Sequence, residues 1–220
     1  MLSAENLASI ESEGRRLIGF VEREPDRPVP QYPDWSLADL ASHTGSIHGR
    51  TRLIVTEHPT ERISAPTLPE GANVVEWYVE TLEGMLAALR ESDPETPCWA
   101  FGPNQCAGFW ESRMVIETGV HRWDAAQAFG EEDRLIDNVA SNGLAEFGDM
   151  WLPQLGEVST LEVTAVDLGQ TWVYGSGEPI HTIDGAASDL YLRLMSRPSP
   201  VELPADWAAA IDGMAPPPKR

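Results

Sequence analysis

The chain has 220 residues and a formal net charge of −20, because 35 Asp and Glu side chains outnumber 15 Lys and Arg side chains. This charge excludes nucleic acid as a partner, since binding to phosphates needs a clustered basic surface, and it disfavours an anionic membrane for the same reason. The apolar share of 42% suffices for a buried core, so we expect one folded domain or two small ones.

Cysteine usage and the absence of long apolar stretches favour the cytoplasm. Cys98 and Cys106 lack a C-x-x-C spacing and cannot build a disulfide scaffold, which suits a reducing compartment. Charged residues near the N-terminus argue against a secretory signal, and no stretch approaches the roughly 20 apolar residues of a membrane span. We therefore expect a soluble, cytoplasmic protein that is a monomer.

Five stretches with apolar residues at helical spacing predict helices, at about 3–24, 37–57, 74–89, 109–129 and from 137 onwards. Ser36 and Asp39 form a capping box at the start of the second helix, with Trp35 and Leu40 placed for a hydrophobic staple. Four prolines between 25 and 33 predict a loop before it. The succession predicts an antiparallel four-helix bundle over residues 1–152.

The pattern changes after Pro153. Period-two alternation and strand-forming residues predict strands at 161–166, 171–174 and 180–183, with a turn at 175–177. Residues 186–197 return to helical spacing. The sequence therefore predicts an α+β fold, with a small α/β domain at 153–214 and a tail at 215–220.

Glu117 and His121 share one stripe of the fourth helix with apolar neighbours such as Trp110 and Met114. An acid and an imidazole facing a core are costly unless they are paired or bind a ligand. A divalent metal would bind both side chains, but the same spacing also suits a buried hydrogen-bonded pair of Glu117 and His121. The residues alone do not decide between these two interpretations.

A metal needs a third ligand from another helix, and His43 is the best candidate. It lies on the seam of the second helix that contains Ser36 and Leu40, whereas His48 points about 140° away from it. Three ligands, His43, Glu117 and His121, with one open position describe a catalytic zinc-type site.

Two motifs carry a resemblance to a known family. Residues 33–43 (PDWSLADLASH) and 109–125 (FWESRMVIETGVHRWDA) are similar to the two helical signatures of mycothiol-dependent maleylpyruvate isomerase-like proteins. Residues of the C-terminal part, including Asp167, Trp172 and the stretch 185–192, resemble the C-terminal domain of that family.

The resemblance implies a DinB-type four-helix bundle followed by a sterol-carrier-like α/β domain. It implies a divalent metal, usually zinc, on His43, Glu117 and His121, and mycothiol, an actinobacterial thiol, as cofactor. In an isomerase the thiolate adds to a cis double bond, the resulting single bond rotates, and elimination releases the trans product and the thiol. In an S-transferase the thiol stays attached to the electrophile.

A dianionic substrate such as maleylpyruvate needs local cations in a protein of this charge. Arg113 and Arg197 are the catalytic candidates, and Arg122 is a third cation of the same region. Arg113 is equally well placed to form an ion pair. Arg197 ends the C-terminal helix, where a cation also complements the helix dipole. Alternatives to an isomerase are a mycothiol S-transferase and a non-catalytic metal- or ligand-binding protein of the same fold.

Overall fold

A computed structural model describes residues 3–131 and 133–214. The chain forms two compact units, and the boundary between them in the sequence lies between Asp133 and Arg134. The fold is α+β, as predicted. The first unit contains α1 (Ala4–Arg23), β1 (Pro28–Val29), β2 (Tyr32–Ser36), α2 (Leu37–Glu57), α3 (Val74–Glu91) and α4 (Ala107–Ala128). The second contains α5 (Asp137–Met150), a 3₁₀ turn (Leu152–Gln154), β3 (Leu161–Ala165), β4 (Gln170–Tyr174), β5 (His181–Gly185), α6 (Ala187–Leu194) and α7 (Ala205–Asp212).

Four helices, α1 to α4, form the bundle of the first unit, with α1 against α4 and α2 against α3. Large side chains at helical spacing fill its core, among them Ile10, Leu17, Leu40, Ile54, Tyr78, Leu82 and Trp110. Helix α4 is buried on almost every side, so polar residues along it are withdrawn from water whichever face they occupy.

The start of α2 has the predicted capping box. The Ser36 hydroxyl accepts a hydrogen bond from the Asp39 amide at 3.2 Å, and the Ser36 amide donates to an Asp39 carboxylate oxygen at 2.9 Å. The helix ends at Glu57, where His58 adopts a left-handed conformation with φ of 51°. Both ends therefore agree with the prediction.

The proline-rich segment predicted as a loop contains a short antiparallel hairpin, β1 and β2. Its proline residues exclude a long ladder, but amides of α2 anchor the hairpin: Leu37 donates to the Arg27 carbonyl at 2.9 Å, and Ala38 to that of Pro25 at 2.8 Å. The hairpin places Tyr32 and Trp35 beside the histidines of the bundle.

The second unit has a three-stranded sheet of order β4-β3-β5, in which β3 pairs antiparallel with β4 and parallel with β5. Helix α5 belongs to this unit rather than to the bundle, because Phe147 and Leu144 pack against Tyr174 of β4. The division between units thus lies earlier than residue 152, and the proposed limits of independently folding domains stay a prediction.

Two further differences concern the end of the chain. Helix α6 stops at Leu194 because Ser196 adopts a positive φ of 58°, so it is shorter than the predicted 186–197. Helix α7 was not predicted, and the predicted tail at 215–220 lies outside the described residues. Among the described helices, none combines the length and apolar character that crossing a membrane requires.

Candidate metal centre

Two buried residues of α4 and one of α2 meet at a single point. The relative exposure of His43, Glu117 and His121 is 5%, 8% and 5%. The Nε2 atoms of both histidines lie 3.3 Å from Oε1 of Glu117, and the three donor atoms all lie within 4.8 Å of one another. The structure therefore brings together the three residues that the sequence proposes as ligands.

The donor set fits a divalent metal of the zinc type, which favours imidazole nitrogen and carboxylate oxygen. Adjacent ligands of a tetrahedral zinc ion with bonds of about 2.0–2.1 Å are separated by about 3.3 Å. Both nitrogen-to-Oε1 distances match that edge and are longer than the usual hydrogen bond of about 2.9 Å. Metal binding itself stays a prediction.

Arg113 lies one turn before Glu117, and its guanidinium reaches the second carboxylate oxygen, Oε2, at 2.7 Å. The side chain of Arg113 is only 12% exposed. Arg113 does form an ion pair, but within α4 and nearly buried rather than at the surface or between helices, and the pair leaves Oε1 of Glu117 facing the two histidines.

Asp124 orients His121 from the other side. The carboxylate of this fully buried residue lies 3.0 Å from Nδ1 of His121. If Nδ1 donates to Asp124, Nε2 is left with its lone pair directed at the centre, an arrangement common among histidine ligands. Asp124 is thus placed to orient the ring of His121.

The electrostatics keep both partners charged in the metal-free protein. Burial acts to raise the pKa of Glu117, but the hydrogen bonds from His121 and His43 and the charge of Arg113 hold it well below its ordinary value. Burial acts to lower the pKa of His121, but hydrogen bonds to Asp124 and Glu117 outweigh it and raise the pKa to about 9.

The structure places His48 outside this cluster. Its Nε2 lies 2.9 Å from the hydroxyl of Thr118, and its ring packs 5.5 Å from that of Tyr78 on α3. Burial lowers the pKa of His48 to about 3, so the ring is neutral. His48 therefore joins α2 to α4 at Thr118 and is not one of the three residues whose donor atoms converge.

Arg122 is not available as a substrate cation. It is fully buried and forms ion pairs with Glu13 of α1 and with Asp133. Glu13 lies 109 residues away in sequence, so spacing alone could not have found the pair. Arg122 connects α4 to α1.

Arg197 lies in the second unit and is 7% exposed. Its guanidinium donates to the Met195 carbonyl at 3.0 Å, close to the end of α6. The predicted interaction with a helix end is therefore present, and a catalytic role stays a prediction.

Two aromatic residues of the hairpin surround the centre. The ring of Trp35 lies 4.9 Å from that of His43, and the ring of Tyr32 lies 6.0 Å from that of His121. Trp35 is part of the motif before the helix cap, but no sequence pattern pointed to Tyr32. The cysteines are elsewhere, and burial raises the pKa of Cys98 to about 11, which makes it a poor nucleophile.

Comparison with known proteins identifies the family. Residues 7–126 match the model of the mycothiol maleylpyruvate isomerase N-terminal domain, which is more than half of the chain. The chain belongs to this family. The matched range contains all three candidate metal ligands, His43, Glu117 and His121.

Two solved structures share the fold. The chain is similar to a crystal structure of the mycothiol-dependent maleylpyruvate isomerase, with a TM-score of 0.68 and 14% identity over 91% of this chain and 94% of that one. It is also similar to a histidine-to-alanine mutant of that enzyme, with a TM-score of 0.65 and 13% identity over 86% of each chain. No curated protein sequence matches this one.

Proposed function

We propose that this chain is a metal-dependent and mycothiol-dependent enzyme that acts on small electrophiles, with cis–trans isomerisation of a maleylpyruvate-like acid as its reaction. One observation carries the proposal: His43, Glu117 and His121 converge within a mycothiol maleylpyruvate isomerase N-terminal domain. Zinc is the proposed ion. The cytoplasmic location and the monomeric state stay predictions.

A bound zinc ion would lower the pKa of a thiol and so supply the nucleophilic sulfur that reversible addition to a conjugated double bond requires. The chain's own residues prepare the position for it. His43 and His121 would offer one nitrogen each from two helices, with His121 giving up its proton to the incoming ion, and Glu117 adds one negative charge. We assign no residue to mycothiol.

Arg113 and Asp124 act through the ligands. Arg113 holds one oxygen of Glu117 and leaves the other for the centre, while Asp124 fixes the ring of His121. Because the ligands are buried, they lose little side-chain freedom when an ion binds. We propose Arg113 as a positioning residue in this sense, and Arg197 as the cation that contacts a carboxylate of the substrate.

Turnover of a panel of unsaturated acids and other electrophiles, measured with and without mycothiol, tests the proposal. An isomerase returns the thiol after each cycle, whereas an S-transferase consumes one thiol per product. His121→Ala should abolish thiol-dependent turnover, and Asp149→Asn, a change at an exposed position of α5, should leave it unchanged. Bound metal without turnover of any compound would contradict the proposal and support a binding protein.

Arg197 is tested in the same assay with one charged and one uncharged electrophile. Loss of a charge-assisted hydrogen bond typically reduces catalytic efficiency about 10- to 100-fold. Arg197→Ala should therefore impair turnover of the carboxylate substrate selectively. An equal loss on both compounds would mean that Arg197 only supports the end of α6.

A further inference from the structure

A second candidate site lies in the first unit, at an open cavity of about 330 Å³ between the end of α2 and the segment that follows it. Its described lining residues are Arg50, Arg62, Ile63, Ser64 and Ala65. Two of the five are arginines and none is acidic, in a chain of net charge −20. We call this cavity the Arg50–Arg62 pocket.

Arg50 provides a fixed cation. It is 3% exposed, and its guanidinium carbon lies 5.5 Å from the ring centre of Phe101 and 5.8 Å from that of Trp110. Trp110 is itself held by a hydrogen bond from its indole nitrogen to the Trp99 carbonyl at 2.8 Å. A cation–π contact engages the face of the guanidinium, whereas its N–H donors lie in the plane and suit a carboxylate or phosphate.

Arg62 provides a second, exposed cation. Within residues 3–131 and 133–214, no side chain forms an ion pair or hydrogen bond with it. Because Arg50 and Arg62 both line the pocket, both cations contribute a positive potential that favours an oxyanion there. The Ser64 hydroxyl adds a neutral donor in the same wall.

The backbone of this wall is anchored at both ends. The Trp99 amide donates to the Pro59 carbonyl at 2.6 Å, and the Ser46 hydroxyl donates to the Pro66 carbonyl at 2.6 Å. Gly49 permits the close approach, since a Cβ there would lie 2.5 Å from Cγ of Pro66. The segment that bears Arg62 is thus held against α2, so the pocket is a built feature of the fold.

The pocket lies two helical turns along α2 from the metal centre. Arg50 follows His43 by seven residues on α2, which places their Cα atoms about 10 Å apart along the helix. None of the three candidate metal ligands lines it. An anion bound here would leave the metal position free.

We propose that the Arg50–Arg62 pocket binds a small oxyanion, a carboxylate or a phosphate group. The planar fork of a guanidinium matches both groups bidentately. The volume lies at the lower end of the range for small-molecule sites, which suits a compact ligand. The proposal does not depend on the metal or on the reaction.

Calorimetric titration of the full chain with inorganic phosphate and with succinate tests the proposal. It is run on the protein as purified and on the His43→Ala variant, so that binding to a metal cannot account for the signal. Arg62→Gln should weaken saturable binding about 10- to 100-fold, the effect of losing a charge-assisted hydrogen bond. Tighter binding of succinate would indicate a carboxylate ligand, and tighter binding of phosphate a phosphorylated one.

The matched control is Arg52→Gln, which removes one exposed arginine of α2 that does not line the pocket. It should leave the affinity unchanged. Equal weakening of anion binding by both variants would mean that the loss comes from the change in overall charge, and it would overturn the proposal. So would the absence of saturable binding of either anion at millimolar concentrations, or an affinity that Arg62→Gln leaves intact.

Discussion

Glu117 uses its two carboxylate oxygens for different purposes. Oε2 lies 2.7 Å from Arg113, and Oε1 lies 3.3 Å from a nitrogen of each histidine. The interactions with His121 and His43, and then the charge of Arg113, hold the pKa of the buried acid well below its ordinary value, so a negative charge faces the point where the ligands converge.

Asp124→Asn should weaken metal binding about 10- to 100-fold, the usual effect of changing a residue that orients a histidine ligand. The amide keeps an acceptor oxygen for Nδ1 of His121 but loses the charge that makes the ring a stronger donor to a metal. Competition with a chelating dye measures the affinity. Asp149→Asn is the matched control, and equal affinities of both variants and the parent would contradict the role of Asp124.

Residue patterns predicted the three candidate ligands of this site, but they could not predict contacts between residues far apart in the sequence. His43, Glu117 and His121 could be found because helical periodicity states which face a residue occupies. An ion pair of Arg113 was among the alternatives, and its partner Glu117 lies one turn further along α4. The pairing of Arg122 with Glu13 depends on tertiary packing, which local spacing does not contain.

At the scale of elements, the N-terminus of α2 positions His43. The capping box defines where the helix starts, and His43 follows Ser36 by two turns on the same seam. The adjoining hairpin adds Trp35 against the His43 ring. The hairpin was missed because prolines mark breaks in regular structure and do not reveal that two short extended pieces pair.

Ser36→Ala should lower the free energy of unfolding by about 1 kcal/mol, since the amide of Asp39 loses its acceptor. Ser42→Ala makes the same chemical change inside α2 and should be neutral or slightly stabilising, because alanine is the better helix former. Chemical denaturation of both variants measures the difference. Equal stability of the two would show that the cap contributes little.

At the scale of the whole molecule, the hydrophobic period changes from 3.6 to 2 after α5, whereas the boundary between the two units lies before α5, between Asp133 and Arg134. That change was visible in the sequence, as were the three strands. The sequence did not reveal to which unit α5 belongs, because its apolar face fits either a bundle or a sheet. The contacts of Phe147 and Leu144 with Tyr174 place it in the second unit.

The stability of the metal-free protein should depend on pH through His121. Its pKa is raised from an ordinary 6.5 to about 9, so the protonated form is favoured by folding. The stabilisation is complete below about pH 6.5 and is lost as the pH rises through about 9. The melting temperature of chelator-treated protein should fall across this window, and His121→Ala should remove that slope; an unchanged slope in the variant would contradict the assignment.

The most direct test of the central claim is the metal content of the purified chain and its variants, measured by elemental analysis. The parent protein should hold about one divalent ion per chain. His43→Ala and His121→Ala should lose it, and their melting temperatures should then no longer respond to added metal. His48→Asn, which changes a buried histidine outside the cluster, should retain the ion. Stoichiometric metal in both ligand variants, or none in the parent protein under metal-replete conditions, would contradict the account.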